Sequence, residues 1–305
     1  MTNFLNKFFS YNIKFKFVFS TPDRESWIKY VSECRDKLTN ATNPNEVIEI
    51  VFEENLSERN FYPIHIVLLT CFIDEIKSKG YLVKLSIKNK DLNKFLFEDV
   101  SLSIYWIEKI DHIESPTISD LNVWRIVENQ KESYSINVTN YFKRNYFNGY
   151  DLSPLKVALN ELYFNIFDHA RANGNAYSYI RYSDDEKKFY VAICDFGLGI
   201  ATTLRHKYPD FTTDKLALEN CIKIGISSQT QKYNKGFGLD NVASNIIKLN
   251  DQLRIVSNCA LLRILDNKEN AKSFELDFNF KGTLVYFEIS IDNFEKEEII
   301  EEFSF

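Results

Sequence analysis

The chain has 305 residues, of which 45% are hydrophobic, 15% aromatic and 26% charged. This apolar content excludes a disordered or low-complexity chain, and the length is sufficient for two domains. The formal net charge of −6 argues against a nucleic-acid coat or a polybasic membrane binder, so we expect no nucleic-acid partner.

Cysteines and apolar runs indicate the compartment. The five cysteines are odd in number and lack a Cys-x-x-Cys pair, which predicts reduced, mostly buried thiols rather than disulfides or a zinc ribbon. The longest apolar stretch, Ile64 to Ile73, has about ten residues, half of what a membrane span requires. Lys7, Lys14 and Lys16 interrupt any signal-peptide core. The sequence therefore predicts a cytoplasmic protein that does not bind membranes.

The amino-terminal part alternates strands with helices. The pattern predicts three strands, over residues 12–19, 47–52 and 81–87. It predicts two helices between them, from Thr21-Pro22-Asp23 to about Leu38 and from Pro63 to about Lys79. Gly80 then ends the second helix as a C′ glycine. The second strand, the helix after it and the third strand form one short unit, so these two strands should be parallel.

The carboxy-terminal part has more and shorter elements. Helices are predicted over residues 138–147, 153–172, 213–224 and 239–249, and strands over 176–182, 188–194, 253–256, 261–265, 274–280 and 283–291. The first two of these strands are predicted to form a hairpin. The organisation is thus an α/β (α+β) chain with domains over residues 1–135 and 136–292. An acidic amphipathic tail over 293–305 would dock on its own core or on a partner.

Glycine is scarce and unevenly placed. The chain has nine glycines, whereas an average usage of about 7% would give roughly 21. Two pairs nevertheless stand close together: Gly197 and Gly199 follow a predicted strand, and Gly236 and Gly238 precede a predicted helix. These positions favour a bare backbone, either for a positive φ or for close approach to a ligand. Backbone amides at a glycine-preceded helix start form an anion site suited to phosphates.

The helix predicted over residues 153–172 is apolar nearly all round, with one polar stripe. Glu161, Asn165, Asp168 and His169 are spaced three or four residues apart, so they can project from one face. Burying a carboxylate and an amide without partners costs several kcal/mol. The stripe therefore faces either a binding cleft or a hydrogen-bond network within the domain.

These motifs together resemble those of one superfamily. Glu161-Leu-Tyr-Phe-Asn165 resembles the N box of the GHKL ATPases, which include gyrase B subunits, heat-shock chaperone ATPases and histidine kinases. Asp195-Phe-Gly-Leu-Gly199 resembles the first glycine box, Gly236-Phe-Gly-Leu239 the second, and Gly282-Thr283 the final element, all in family order. The resemblance covers about residues 138–292. It implies a Bergerat-type α/β sandwich with a mixed sheet and one helical layer.

The resemblance also implies roles at the base end of an ATP site. Asp195 would accept a hydrogen bond from the adenine amino group, and Thr283 would support it directly or through water. Gly197 and Gly199 would let the chain pass close to the base.

At the phosphate end, the resemblance implies that Asn165 helps to coordinate Mg²⁺. Glu161 stands where hydrolytic and serine-kinase members place a general base. The remaining phosphate contacts would come from Gly236, Phe237, Gly238 and Leu239. The segment 201–235 would be the ATP lid, in which Lys235 either contacts the γ-phosphate or is a solvated surface lysine.

The amino-terminal strands and helix resemble a STAS-like domain, the fold of anti-sigma-factor antagonists. Those antagonists carry a phosphorylatable Ser or Thr at the start of the helix, where this chain has Asn60-Phe-Tyr-Pro63. We therefore interpret this part as an interaction or dimerisation module rather than a phospho-switch.

The sequence thus predicts an Mg·ATP-binding regulatory protein that hydrolyses ATP slowly to switch a lid and a protein interface. One alternative is a protein serine/threonine kinase resembling the anti-sigma-factor kinases. Another is a non-catalytic ATP sensor. In each case the partner is an unidentified protein, and a homodimer is compatible with the sequence.

Overall fold

The computed structural model describes residues 12–43, 45–102, 123–126, 128–166, 175–226, 238–249, 252–265 and 268–297. It is a mixed α/β structure with two sheets. The first sheet has three strands in the order β1-β2-β3, and the second has seven in the order β4-β5-β6-β10-β7-β8-β9.

The first sheet is wholly parallel. Its strands are β1 (Asn12–Phe19), β2 (Glu46–Phe52) and β3 (Leu82–Ile87), and its helices are α1 (Arg24–Lys37) and α2 (Pro63–Ser78). The side chain of Asp23 caps α1 by accepting a hydrogen bond from the backbone N–H of Ser26 at 2.7 Å. Gly80 follows α2 with φ +89°. The predicted strand, helix, strand unit and its parallel pairing are confirmed.

The second sheet is antiparallel at every pairing between its described strands. The strands are β4 (Trp124–Arg125), β5 (Ala176–Ser183), β6 (Lys188–Asp195), β7 (Leu253–Ser257), β8 (Ala260–Ile264), β9 (Lys272–Glu275) and β10 (Thr283–Ser290). The prediction of a mixed sheet is therefore wrong for these strands. Short turns join β5 to β6 and β7 to β8, and a tight turn permits only antiparallel neighbours.

Helices cover the inner face of the second sheet. Helix α3 (Lys90–Lys94) follows β3 and is not one of them. The covering helices are α4 (Lys131–Asn145), α5 (Ser153–Asn165), α6 (Ile200–Lys207), α7 (Asp214–Asn220) and α8 (Gly238–Lys248). Buried side chains of α4, α5 and α8 form one core with inward-facing residues of the sheet such as Ile193 and Val285. Helices α5 and α8 also pack against each other.

The outer face of the second sheet is covered by the amino-terminal part. Helix α2 is buried along most of its length and packs against β5 and β6. Its apolar side chains share a core with Tyr179, Ala192 and Leu284, which point away from α4, α5 and α8. The two parts are therefore joined by a continuous apolar interface, and the boundaries predicted for two separate domains stay predictions.

Several sequence-based boundaries differ from the structure, including the end of α7 at Asn220 rather than 224. Helix α4 begins at Lys131 rather than near residue 138. Strand β9 ends at Glu275 rather than 280, because Leu276 and Phe280 donate their backbone hydrogen bonds to the turn between β7 and β8. At the start of the predicted tail, Phe294 is buried in the core of the chain itself, and residues 298–305 lie outside the described residues.

All five cysteines are free, and four of them are buried, as predicted. Within the ranges that the structure describes, we find no helix with the length and apolar character of a membrane span.

Candidate functional site

A pocket lies between α5, the start of α8 and the ends of β6 and β10. Its cavity volume is about 20 Å³, which is room for about one water molecule. Its lining residues are Leu162, Asn165, Ile166, Ile193, Asp195, Gly199, Ile200, Leu239, Thr283 and Val285. Five of them, Asn165, Asp195, Gly199, Leu239 and Thr283, are residues to which the sequence assigned a binding role.

The carboxylate of Asp195 is a buried, ionisable group of this pocket. Asp195 is the last residue of β6 and pairs with Thr283 of β10 in the antiparallel register. The backbone N–H of Gly197 donates to the carboxylate at 2.8 Å, and Thr283 stabilises it further. Burial outweighs these contacts and raises the pKa of Asp195 to about 7, because water no longer solvates the charged form. In its ionised form this carboxylate is a strong acceptor in the lining of a mostly apolar cavity.

Two glycines let the surrounding loops approach each other. A Cβ at Gly282, where φ is +148°, would lie 2.2 Å from the carbonyl oxygen of Asp195. A Cβ at Gly199, where φ is +84°, would lie 2.3 Å from Oδ1 of Asn258. Both distances are far inside van der Waals contact. A side chain at Gly282 would displace the backbone of Asp195, and one at Gly199 would displace the side chains of Asn258 and Ser257.

Ser257 and Asn258 support the site from behind, and sequence reasoning missed them. Ser257 Oγ donates to the carbonyl of Gly282 at 3.0 Å, and Asn258 Nδ2 donates to the carbonyl of Leu198 at 3.1 Å. Asn258 Oδ1 in turn accepts from the backbone N–H of Thr202 in the first turn of α6 at 3.2 Å. In the sequence these two residues look like an ordinary turn between strands, and only the fold brings them to α6.

At the opposite end of the pocket, α5 faces the start of α8. A Cβ built at Gly238 would lie 3.3 Å from Oε2 of Glu161 and 3.4 Å from Oδ1 of Asn165. The Nδ2 atom of Asn165 is buried and has no hydrogen-bond partner among the residues that the structure describes. An orphaned buried amide beside a pocket indicates that part of its bonding is left for a ligand. Of the two alternatives for the polar stripe, the position of Asn165 favours the cleft.

Other predicted site residues fall outside the described residues: Lys235, Gly236 and Phe237, together with Asp168 and His169 of the polar stripe. The described part of the predicted lid consists of α6, α7 and the turns around them, up to residue 226. Gly197 is not among the residues that line the pocket. It lies two residues after Asp195, and its N–H donates to that carboxylate.

Oxygen donors for a divalent cation are present but few. Oδ1 of Asn165 and Oε2 of Glu161 both approach Gly238. Within the described ranges, no three His, Cys, Asp or Glu side chains cluster as metal ligands. Mg²⁺ is commonly held by one or two protein oxygens together with substrate phosphates and water. This donor set fits such an arrangement.

No protein-family model matches the chain, and no curated protein is significantly similar to it.

Proposed function

We propose that the chain binds Mg·ATP in this pocket and belongs to the GHKL type of nucleotide-binding proteins. The supporting observation is the pairing of Asp195 with Thr283 at one end of a mostly apolar cavity, with Asn165 at the other. These three residues come from different elements and are separated by 30 or more positions in the sequence. A binding site gives one reason for bringing such polar groups together at an apolar surface.

The base end suits adenine. The amino group of adenine is a donor, which matches the carboxylate of Asp195, whereas guanine presents a carbonyl acceptor at the equivalent ring position. Two acceptors facing each other repel, so guanine would be disfavoured at this position. Apolar side chains such as Ile193, Ile200 and Val285 would contact the faces of the ring. The site should therefore prefer ATP to GTP.

The phosphate end suits a metal-bound triphosphate. The N-terminal turn of α8 begins at Gly238, and its backbone N–H groups with the helix dipole favour an anion there. Oδ1 of Asn165 would be a ligand of Mg²⁺, which would neutralise charge on the phosphates when bound. Glu161, one turn earlier on α5, would orient a water or hydroxyl for attack on the γ-phosphate.

The amino-terminal part, with its parallel three-stranded sheet, would act as the STAS-like interaction module. This part packs on the outer face of the second sheet, so the inner face would remain available to the nucleotide. We propose that ATP turnover is slow and serves to change an interface with a protein partner.

The test is calorimetry with Mg·ATP, Mg·ADP and Mg·GTP on the wild type, Asp195→Asn and the control Asp185→Asn, which lies in the exposed β5–β6 turn. We expect the wild type and the control to bind Mg·ATP and to discriminate against Mg·GTP. Asp195→Asn should bind Mg·ATP about 10- to 100-fold more weakly, the loss of a charge-assisted hydrogen bond. A folded wild type that does not bind, or an Asp195→Asn variant with unchanged affinity, contradicts the proposal.

Phosphate release from the same samples separates the three modes of action. Glu161→Gln should retain nucleotide binding and lose turnover if the protein is a hydrolase. Transfer of label from γ-labelled ATP to a protein would instead identify the kinase. Binding by the wild type without release or transfer would identify a sensor.

A further inference from the structure

Arg35, in the last turn of α1, contacts the loops beside the pocket from the other side of the second sheet. Its side chain is only 7% exposed. Nε donates to Oε2 of Glu75 on α2 at 2.5 Å, and Nη1 donates to the carbonyls of Phe280 at 2.5 Å and Lys281 at 2.9 Å. The guanidinium carbon lies 3.5 Å from the ring centroid of Phe196, a cation–π contact.

These contacts lie on both sides of the Asp195–Thr283 pair. Phe196 follows Asp195 directly, and Lys281 stands two residues before Thr283. The backbone between Lys281 and Thr283 is constrained, since Lys281 has φ +48° and Gly282 is pressed against the carbonyl of Asp195. A planar guanidinium that stacks on one loop and binds two carbonyls of the other therefore fixes their separation.

Arg35 also acts on the carboxylate electrostatically. Its positive charge favours the ionised form of Asp195 and opposes the rise in pKa that burial causes. The thiol of Cys71 on α2 also interacts with the charge of Asp195. Burial raises the pKa of the Cys71 thiol well above its usual value, so it stays neutral.

A second arginine of α1 provides the comparison. Arg24 crosses the same interface, with an ion pair to Glu288 at 2.5 Å and its guanidinium carbon 4.1 Å from the ring centroid of Tyr62. Glu288 pairs with Tyr190 near the far end of β10, five residues along the strand from Thr283. Arg24 thus has the same kind of chemistry without a contact to the pocket loops.

We infer that Arg35 is a positioning residue of the nucleotide pocket, so that the seating of α1 on the sheet and the binding of nucleotide are coupled. The inference rests on the proposed function. Coupling between sites is reciprocal, so nucleotide binding should also tighten the contact between α1 and the two loops.

The experiment measures Mg·ADP affinity between pH 6 and pH 9 for the wild type, Arg35→Gln and Arg24→Gln. Wild-type affinity should fall as the pH drops through about 7, where Asp195 takes up a proton. In Arg35→Gln the midpoint should move upward by about one pH unit, lowering affinity at pH 7 by up to about tenfold. Arg24→Gln should keep the wild-type midpoint.

Arg35→Lys is a second variant, which keeps the inference testable if Arg35→Gln does not fold. It keeps the charge and loses the planar stack on Phe196, so its affinity should fall at every pH while its midpoint stays near the wild-type value. An Arg35→Gln midpoint equal to that of the wild type, or an equal shift in Arg24→Gln, overturns the inference and leaves the proposed function standing. If the folded wild type binds no Mg·ADP at any pH, the proposed function fails and the inference fails with it.

Discussion

The two ends of the pocket are built differently. At the base end, the carboxylate of Asp195 is bonded by Gly197 and Thr283, and Gly282 leaves no space for movement. At the phosphate end, the amide nitrogen of Asn165 has no partner within the described part of the chain. The base end is therefore held rigidly by the protein and keeps acceptor capacity on the carboxylate, whereas the phosphate end has an amide donor that is not yet used.

This difference assigns selectivity for the base to one end of the pocket and most of the affinity for the phosphates to the other. A rigid acceptor that is already in place discriminates between bases, since its geometry does not adapt to the wrong one. A phosphate end with open bonding capacity gains most of its contacts when the ligand arrives. Changes at the base end should therefore affect the empty protein as well as binding, whereas changes at the phosphate end should affect binding alone.

The largest expected effect comes from Gly282→Ala at the base end. Its Cβ would collide with the backbone of Asp195, so we expect the free energy of unfolding to fall by about 2–4 kcal/mol and nucleotide binding to be lost. Gly149→Ala is the matched control, because Gly149 also has a positive φ, +85°, but nothing within 4 Å of the added Cβ. It should cost only about 1 kcal/mol. Denaturant unfolding measures both, and equal losses would mean that the contact with Asp195 has no special importance.

Asn165→Ala tests the phosphate end. We expect Mg·ATP affinity to fall about 10- to 100-fold, while adenosine, which has no phosphates, binds as to the wild type. The stability of the empty protein should change by less than about 1 kcal/mol, because the lost Nδ2 had no partner. Asn160→Ala is the control: Asn160 lies on the same helix, also has a buried atom without a partner, and does not line the pocket. Weaker adenosine binding by Asn165→Ala would place Asn165 at the base end instead.

A change of pH should affect the stability of the protein and its nucleotide affinity in opposite directions. The pKa of Asp195 is raised in the folded state to about 7, so the folded protein holds this proton more tightly than the unfolded chain. The contribution of Asp195 to stability should therefore be greatest below about pH 4 and be lost as the pH rises to about 7. Nucleotide affinity should change the other way, since it requires the ionised acceptor.

Unfolding of the wild type and Asp195→Asn between pH 5 and pH 8 isolates this contribution from that of other carboxylates. The asparagine variant should gain stability relative to the wild type as the pH rises. A stability difference that does not vary with pH would mean that the pKa of Asp195 is the same in the folded and the unfolded protein.

Local sequence signals predicted most of the elements. Pro63 and Gly80 mark the ends of α2, and the hairpin of β5 and β6 follows from two strand patterns separated by a polar turn. Strand β9 was predicted too long, because the apolar alternation through Phe280 continues where the backbone bonds have already moved to the turn between β7 and β8. The mixed sheet was wrong because strand direction depends on which strands become neighbours, and periodicity does not contain that information.

The candidate residues Asp195, Gly199, Asn165 and Thr283 could be selected from the sequence because scarce glycines and buried polar groups are costly unless they have a purpose. That they line one pocket was decided by the tertiary structure. So were the roles of Asn258 and Arg35, which lie 63 residues after and 160 residues before Asp195 and have no local pattern that marks them. The physical reason is range: helix starts, turns and amphipathic faces arise from neighbours in the chain, whereas a hydrogen bond or a cation–π contact forms only where folding brings two distant segments within a few ångströms.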